Sequence, residues 1–412
     1  MSTGTLVFIT AARLDLLSGA QSARMLCYAK ALSIKGISVI FTSVYYSFQK
    51  DEKLKIIEEN IYLLGNNERL EGHSRRALPV IKEFNFISTL CYLRQLNIKY
   101  QKQKDLTFLL YPSNFALSLA TALYFRAIKR NIVFIEKNEL HLGIALNLPS
   151  PVGFLKILFF PALFFQILLG ALTDFIEIFF DGMICISTRM YKLYDKAYKN
   201  LVLISIITDT ENGGIRKPEQ KKTENFKIGY TGTLTEKRDG IFTLIKAISL
   251  IPLWSQNKIE CNLYGSITRS NKKHLTHLIN KCHLNEIVRY FGNYDSVSIK
   301  SVQSEHNLLV LPRPSNLQTN FGFSTKLAEY LSSGVPVLTT RHSDVSNYLI
   351  DGGNGFIVDK HNPVLLKNKL IEILNNKDQL AKIGEKGRET ALKYFNYSNY
   401  SSTLFNFLFH KK

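Results

Sequence analysis

The sequence is short of acid. It has 33 Asp and Glu against 52 Lys and Arg in 412 residues, a formal charge of +19. A surface so depleted of negative charge attracts phosphates, whether in nucleic acid, anionic lipid or a nucleotide. Cysteine is scarce too. Cys27, Cys91, Cys185, Cys261 and Cys282 are odd in number and include no C-x-x-C pair, which argues against a disulfide framework and for buried thiols in a reducing compartment. No D-x-D motif and no His/Asp cluster suggests a metal, so none is expected, and no cofactor either. Helix-turn-helix, zinc-finger and RNP patterns are missing, so nucleic acid is not the expected partner of the positive charge. Met1–Gly4 is uncharged and the apolar run Thr5–Thr10 is too short for a secretory leader, which points to a cytoplasmic protein.

What is present is a repeating strand and helix pattern with enough apolar residues, 46%, for two cores. Thr5–Thr10 reads as a buried strand, followed by a loop with Gly19, a helix with Ala23, Met25, Leu26, Ala29 and Leu32 on one face, and a second strand over Val39–Thr42. This is a β-loop-α-β unit of the doubly wound kind. Further strands are expected at 61–64, 106–111, 132–135, 181–187 and 200–207. The one ending at Ile135 runs into Glu136-Lys137-Asn138-Glu139-Leu140-His141. Polar residues bunched after a parallel strand lie at the mouth of the sheet, and Glu139 or His141 is placed to act as a base on an acceptor hydroxyl. A structural histidine that only bonds within its loop is the competing reading. Segment 149–180 is the most apolar in the chain, interrupted by Pro161 and Gly170. A span there would break the sheet across a bilayer, leaving a buried helix pair or a segment lying in the membrane interface beside the basic clusters of the first half. The interfacial reading implies a lipid-linked acceptor.

Residues 209–225, rich in Gly, Pro and charge, read as a linker between a first domain, 1–208, and a second, 226–393, with 394–412 a tail. Strands are expected at 226–231, 259–264, 288–292, 307–311, 335–338 and 356–358, with helices at 365–374 and 380–392. Gly232 opens a loop that carries Lys237 and Arg238. The stretch Ser315–Thr340 organises the rest. It reads as a loop over Thr319–Ser324, a helix from Thr325 capped by Ser324 or Thr325, a left-handed turn at Gly334, and a buried strand. Backbone amides of Asn320, Phe321, Gly322, Phe323, Ser324 and Thr325, the positive helix end and the charge of Lys326 suit a diphosphate. Glu329, one turn on, suits a pair of ribose hydroxyls. An ordinary loop-helix-strand unit with solvated Lys and Glu has the same spacing.

The string S-T-K-L-A-E-Y-L-S-S-G-V-P-V, Ser324–Val337, closely resembles the signature helix of the group 1 retaining glycosyltransferases of GT-B fold. The resemblance implies two doubly wound Rossmann-like domains facing across a cleft, the second holding a nucleotide diphosphate sugar and the first a saccharide or lipid-linked acceptor. It implies that Glu329 holds the ribose, that Lys326 and Arg238 bind diphosphate, and that the Gly19 loop and Arg24 face the donor phosphates. It also implies that the tail crosses back onto the first domain. Where the family often has a second Glu, this sequence has Phe321, and the Pro usual before Asp209 is missing. A non-catalytic binder of sugar or partner, and a sugar-nucleotide epimerase of the same fold, remain as alternatives. Cell-surface polysaccharide assembly at the inner face of the membrane is the expected setting.

Overall fold

The computed structural model describes residues 4–11, 20–44, 55–64, 86–103, 105–146, 155–210, 225–256, 258–294 and 296–409. Gly19, most of the expected linker and the start of segment 149–180 lie outside the described residues. The chain divides into two compact units, residues 1–205 with 397–412, and residues 206–396.

In the first unit, eight strands among the described residues make one sheet. They are β1 (Thr5–Thr10), β2 (Ser38–Ser43), β3 (Lys55–Glu58), β4 (Ile61–Leu63), β5 (Leu106–Leu110), β6 (Val133–Lys137), β7 (Gly182–Cys185) and β8 (Leu201–Leu203). Their order is β3-β4-β2-β1-β5-β6-β7-β8, and every pairing is parallel except β3 with β4. The apolar runs that read as strands are the buried centre, because a parallel sheet is covered on both faces. Leu6, Val7, Phe8 and Ile9 have no exposed surface, nor do Phe108, Leu109 and Leu110. Strand β6 reaches two residues further than the apolar run suggests, taking in Glu136 and Lys137, both buried. Helix Ser401–Phe409 buries Leu404 and Leu408 within this unit and packs on helix Ala20–Ser33.

The second unit holds β9 (Phe226–Thr231), β10 (Ile259–Tyr264), β11 (Val288–Gly292), β12 (Leu308–Leu311), β13 (Val337–Thr340) and β14 (Phe356–Val358), all parallel, in the order β11-β10-β9-β12-β13-β14. Winding reverses between β9 and β12, so the crevice beyond their carboxyl ends is where a sheet of this kind receives a ligand. Strand β13 starts at Val337, two residues later than the apolar pattern suggests. Pro336 has no N–H to give the ladder, although its carbonyl still accepts from the Leu309 amide at 2.9 Å.

In segment 149–180 the expected buried helix pair is not what forms. A single helix, Leu155–Ile176, runs through both Pro161 and Gly170. No helix among the described residues is long and apolar enough to cross a membrane.

The second unit also buries two neutral histidines. Burial pushes His306 down to about 4 and His342 down to about 3, while the rings bond the carbonyls of Val302 and Thr340. An unfolded histidine takes up its proton below about 6.5, so the unfolded chain binds more protons than the folded one between that value and about 4. Stability should therefore be complete above pH 6.5 and fall as the pH drops toward 4, by up to about 1.4 kcal/mol per pH unit for each ring. Urea unfolding at pH 7 and pH 5 measures this. His306→Asn should flatten the slope, and an equal slope in the variant would rule out His306 as a source.

Candidate functional site

The crevice of the second unit is built from three segments, the loop after β9, the turn after β12 and the helix Thr325–Ser332. Leu327, Tyr330 and Leu331 of that helix are buried, as their spacing predicts. Tyr330 ties the helix to the end of β9, since its hydroxyl accepts from the Thr231 amide at 2.7 Å and donates to the Thr231 carbonyl at 3.0 Å. Gly334 closes the helix with φ 73°, the left-handed cap the sequence indicated.

Lys326 is then aimed at the switch point. Its ammonium donates to Asp239 Oδ1 at 2.8 Å and to the Tyr230 hydroxyl at 2.8 Å, and lies 5.0 Å from the Tyr230 ring centre. Gly232, with φ 135°, makes room, because a Cβ there would come within 2.2 Å of Lys326 Cε. Burial pulls the Lys326 pKa below its ordinary value against the opposing pull of Asp239. For Asp239, burial pushes up, and Lys326, Arg313 and Arg238 outweigh it and hold the carboxyl low. Asp239, Tyr230 and the buried Arg313 are members of this site that the sequence did not single out. Arg313 Nε donates to the Arg238 carbonyl at 3.0 Å, which binds the post-β12 turn to the post-β9 loop. The available signal was position, since Tyr230 lies at the end of β9, Asp239 lies in the connection that follows it and Arg313 lies two residues past β12. Arg238 itself is exposed.

The expected phosphate loop is altered in detail. Leu317–Phe321 is a short helix, capped reciprocally by Asn316 and Thr319. The Asn320 and Gly322 amides are consumed inside it, donating to the carbonyls of Asn316 and Gln318 at 2.9 Å each. They are therefore corrections to the set of amides offered to a diphosphate. Phe321 lies in this helix, half-buried, and the Phe323 ring is buried against Tyr348, 5.6 Å away. Ser324 occupies the N-cap of Thr325–Ser332 without a side-chain bond, also contrary to expectation. Leu327 N bonds the Ser324 carbonyl at 3.1 Å, and the amides of Thr325 and Lys326 are those a helix start leaves for an outside acceptor. Glu329 lies half-buried one turn on, and burial raises its pKa against Lys326 and Lys300. Among the described residues its carboxylate makes no hydrogen bond.

The first unit places its expected site residues differently. Arg24 does not reach outward. It is 1% exposed, ion-paired with Glu136, and donates to the carbonyls of Ser205 (3.1 Å) and Ile204 (3.0 Å) and to the Tyr28 hydroxyl (3.0 Å). Burial works against this guanidinium, and Glu136 outweighs it and raises its pKa. Every one of those donors is used inside the unit, so Arg24 joins strands and leaves no fork for a phosphate. Glu139 is half-buried in the turn after β6. His141 begins the helix His141–Leu146, with Nε2 3.2 Å from Ser113 Oγ and 3.3 Å from Glu177 Oε1.

His141, Asp174 and Glu177 form a group of potential metal ligands, their ligand atoms all within 4.8 Å, that no sequence spacing displayed. Lys137 is ion-paired with both carboxylates and already supplies a cation there. Burial presses the Glu177 carboxyl up, and Lys137 and His141 outweigh it and hold it below the usual carboxylate range.

Residues 212–390 match the family model described as glycosyl transferases group 1. An uncharacterized glycosyltransferase of Methanocaldococcus jannaschii is 26% identical over 219 residues, 52% of this chain and 55% of the relative. The capsular polysaccharide biosynthesis glycosyltransferase CapM of Staphylococcus aureus is 26% identical over 172 residues, 40% of this chain and 41% of the relative. The matches thus span about half the length of these curated relatives. Among solved structures, sucrose-phosphate synthase of Thermosynechococcus elongatus is similar with a TM-score of 0.72 at 15% identity, covering 97% of both chains. Anabaena HepE in complex with UDP-glucose has a TM-score of 0.65 at 13% identity, covering 97% of this chain and 98% of that one. The fold is GT-B. The family match falls inside the second unit and takes in the Ser324–Val337 string.

Arg24→Met should cost about 3–5 kcal/mol in urea unfolding, because it strands Glu136 buried without its partner. Arg24→Met/Glu136→Leu should recover most of that loss. A single variant as stable as the parent would contradict a structural Arg24.

Proposed function

We propose that this chain is a retaining glycosyltransferase. It moves a sugar from a nucleoside diphosphate sugar, held in the second unit, to a saccharide or lipid-linked saccharide acceptor in cell-surface polysaccharide assembly at the cytoplasmic face of the membrane. One observation carries the reading. A half-buried lysine ammonium lies at the switch point of a parallel sheet, at the start of a helix whose Glu329 carboxylate makes no hydrogen bond among the described residues. The UDP-glucose complex of HepE and the capsular role in the name of CapM support the donor class and the setting.

In this mechanism the bond from the anomeric carbon to the diphosphate oxygen breaks with its electron pair leaving on the diphosphate. Lys326, Arg238 and the helix N-terminus lower the energy of that growing charge. The acceptor oxygen bonds the anomeric carbon from the same face, and its proton passes to the departing phosphate oxygen or to Glu139 or His141. Glu329 holds the ribose hydroxyls. No protein carboxylate attacks the sugar, and neither a metal nor a cofactor takes part in the steps proposed. A sugar-nucleotide binder without turnover is the second reading, favoured by Phe321, an apolar side chain where the family often has a carboxylate.

The test is incubation with UDP-, GDP- and ADP-linked sugars, following nucleoside diphosphate release and the anomer formed by proton NMR before it equilibrates. One base should be turned over with retention, and Lys326→Ala should lower kcat by roughly 10²-fold or more. An inverted product would overturn retention. Tight binding with no release would establish the second reading.

A further inference from the structure

The helix Leu155–Ile176 is inside out. Its inward side carries Gly170, Thr173 and Asp174, with Glu177 just beyond, and these meet the charge cluster around Lys137. Asp174 accepts from the amides of His141 and Leu142 at 3.0 Å each, capping the neighbouring helix. Gly170 permits the approach, since a Cβ there would lie 2.9 Å from the His141 carbonyl oxygen. The side turned to solvent is the apolar one. Leu168, Leu172 and Phe175 follow at offsets of four and three, which puts them on one face. Phe179 extends the stripe, its ring 5.6 Å from that of Phe175. Exposure along the stripe runs from 39% at Leu172 to 58% at Phe175.

A groove of about 440 Å³ adjoins it, lined by Leu119, Leu123, Arg126, Ile176 and Phe179 among others. Its other wall is the π-helical segment Ala122–Ile128, where Leu123 and Ile128 are 45% and 67% exposed. Lys129 and Arg130 follow at once, both exposed, while Arg126 is joined to Asp181 at 3.0 Å. An apolar face rimmed by positive charge, on a chain of net charge +19, repels a second copy of itself and attracts a negative surface.

We propose that this face docks on an anionic lipid bilayer. Leu168, Leu172, Phe175 and Phe179, with Leu123 and Ile128, enter the boundary between headgroups and acyl chains, and Lys129 and Arg130 meet the lipid phosphates. The inference goes beyond glycosyl transfer and needs no donor for its test, so its failure leaves the nucleotide site standing.

Co-sedimentation with vesicles of phosphatidylcholine alone, and of equimolar phosphatidylcholine and phosphatidylglycerol, tests it. The protein should partition onto the anionic vesicles, less so as salt rises. Leu172→Gln/Phe175→Gln should reduce the partition by about tenfold or more, through loss of two inserted side chains. Lys129→Glu/Arg130→Glu should weaken binding to the phosphatidylglycerol vesicles. These side chains are exposed, so both variants should keep the parent unfolding midpoint. As an independent readout, Phe175→Trp should be quenched by vesicles containing brominated lipid. Unchanged partition in both double variants would overturn the proposal. So would failure to partition onto the anionic vesicles, and a dimer in sedimentation velocity that Leu172→Gln/Phe175→Gln dissociates would then assign the face to a second copy.

Discussion

The second unit is arranged around one half-buried ammonium, that of Lys326. An ammonium drawn partly out of water needs fixed acceptors in place of the hydration it loses, and Asp239 and the Tyr230 hydroxyl supply them for Lys326. Meeting that requirement fixes much else. The loop after β9 must carry Asp239 inward, position 232 must be glycine to admit the lysine stem, and the helix Thr325–Ser332 must stay locked to Thr231 through Tyr330. The result is a cation at the carboxyl ends of β9 and β12, where the winding of the sheet leaves an opening. A ligand bearing phosphate can offer Lys326 more negative charge than Asp239 alone does.

The first unit uses the same device for the opposite purpose. Arg24–Glu136 and Lys137 with Asp174 and Glu177 are buried pairs on consecutive residues of β6, and their donors are spent within the unit. They fix the end of β6 and orient His141. The second consequence is the inverted helix Leu155–Ile176. Once its polar side is committed to this cluster, its apolar side has only solvent or an outside surface to face.

Most of the strand pattern was legible in the residues because it is local. Phe226–Thr231, Ile259–Tyr264, Val288–Gly292 and Phe356–Val358 are short apolar or alternating runs bounded by turns, and they form strands over those same residues. The Lys326 and Glu329 helix was legible for the same reason. Pairing across the fold was not. Nothing near Arg24 announces that Glu136, 112 residues on, will take its charge, and a sequence reading turned it toward phosphates instead. Asp239 was overlooked because Lys and Arg precede it in a run that looks solvated. Pro161 and Gly170 looked like helix breaks. In the fold the helix continues through both, and Gly170 serves close approach to the His141 backbone. The helical turn at Leu317–Phe321, which withdraws the amides of Asn320 and Gly322, follows from the Asn316 and Thr319 capping pair, a signal present in the sequence but outweighed by the glycine.

The most direct measurement of the central claim is the unfolding temperature of the purified protein with UDP, GDP or ADP, set against Glu329→Ala. A ligand that binds only the folded state stabilises it, by about 2.7 kcal/mol at a hundred times its Kd. One nucleotide should raise the midpoint by several degrees in the parent and not in the variant, which would place the donor at Lys326 and Glu329 and identify its base. No shift with any of the three, or the same shift in Glu329→Ala, would contradict a nucleotide site there.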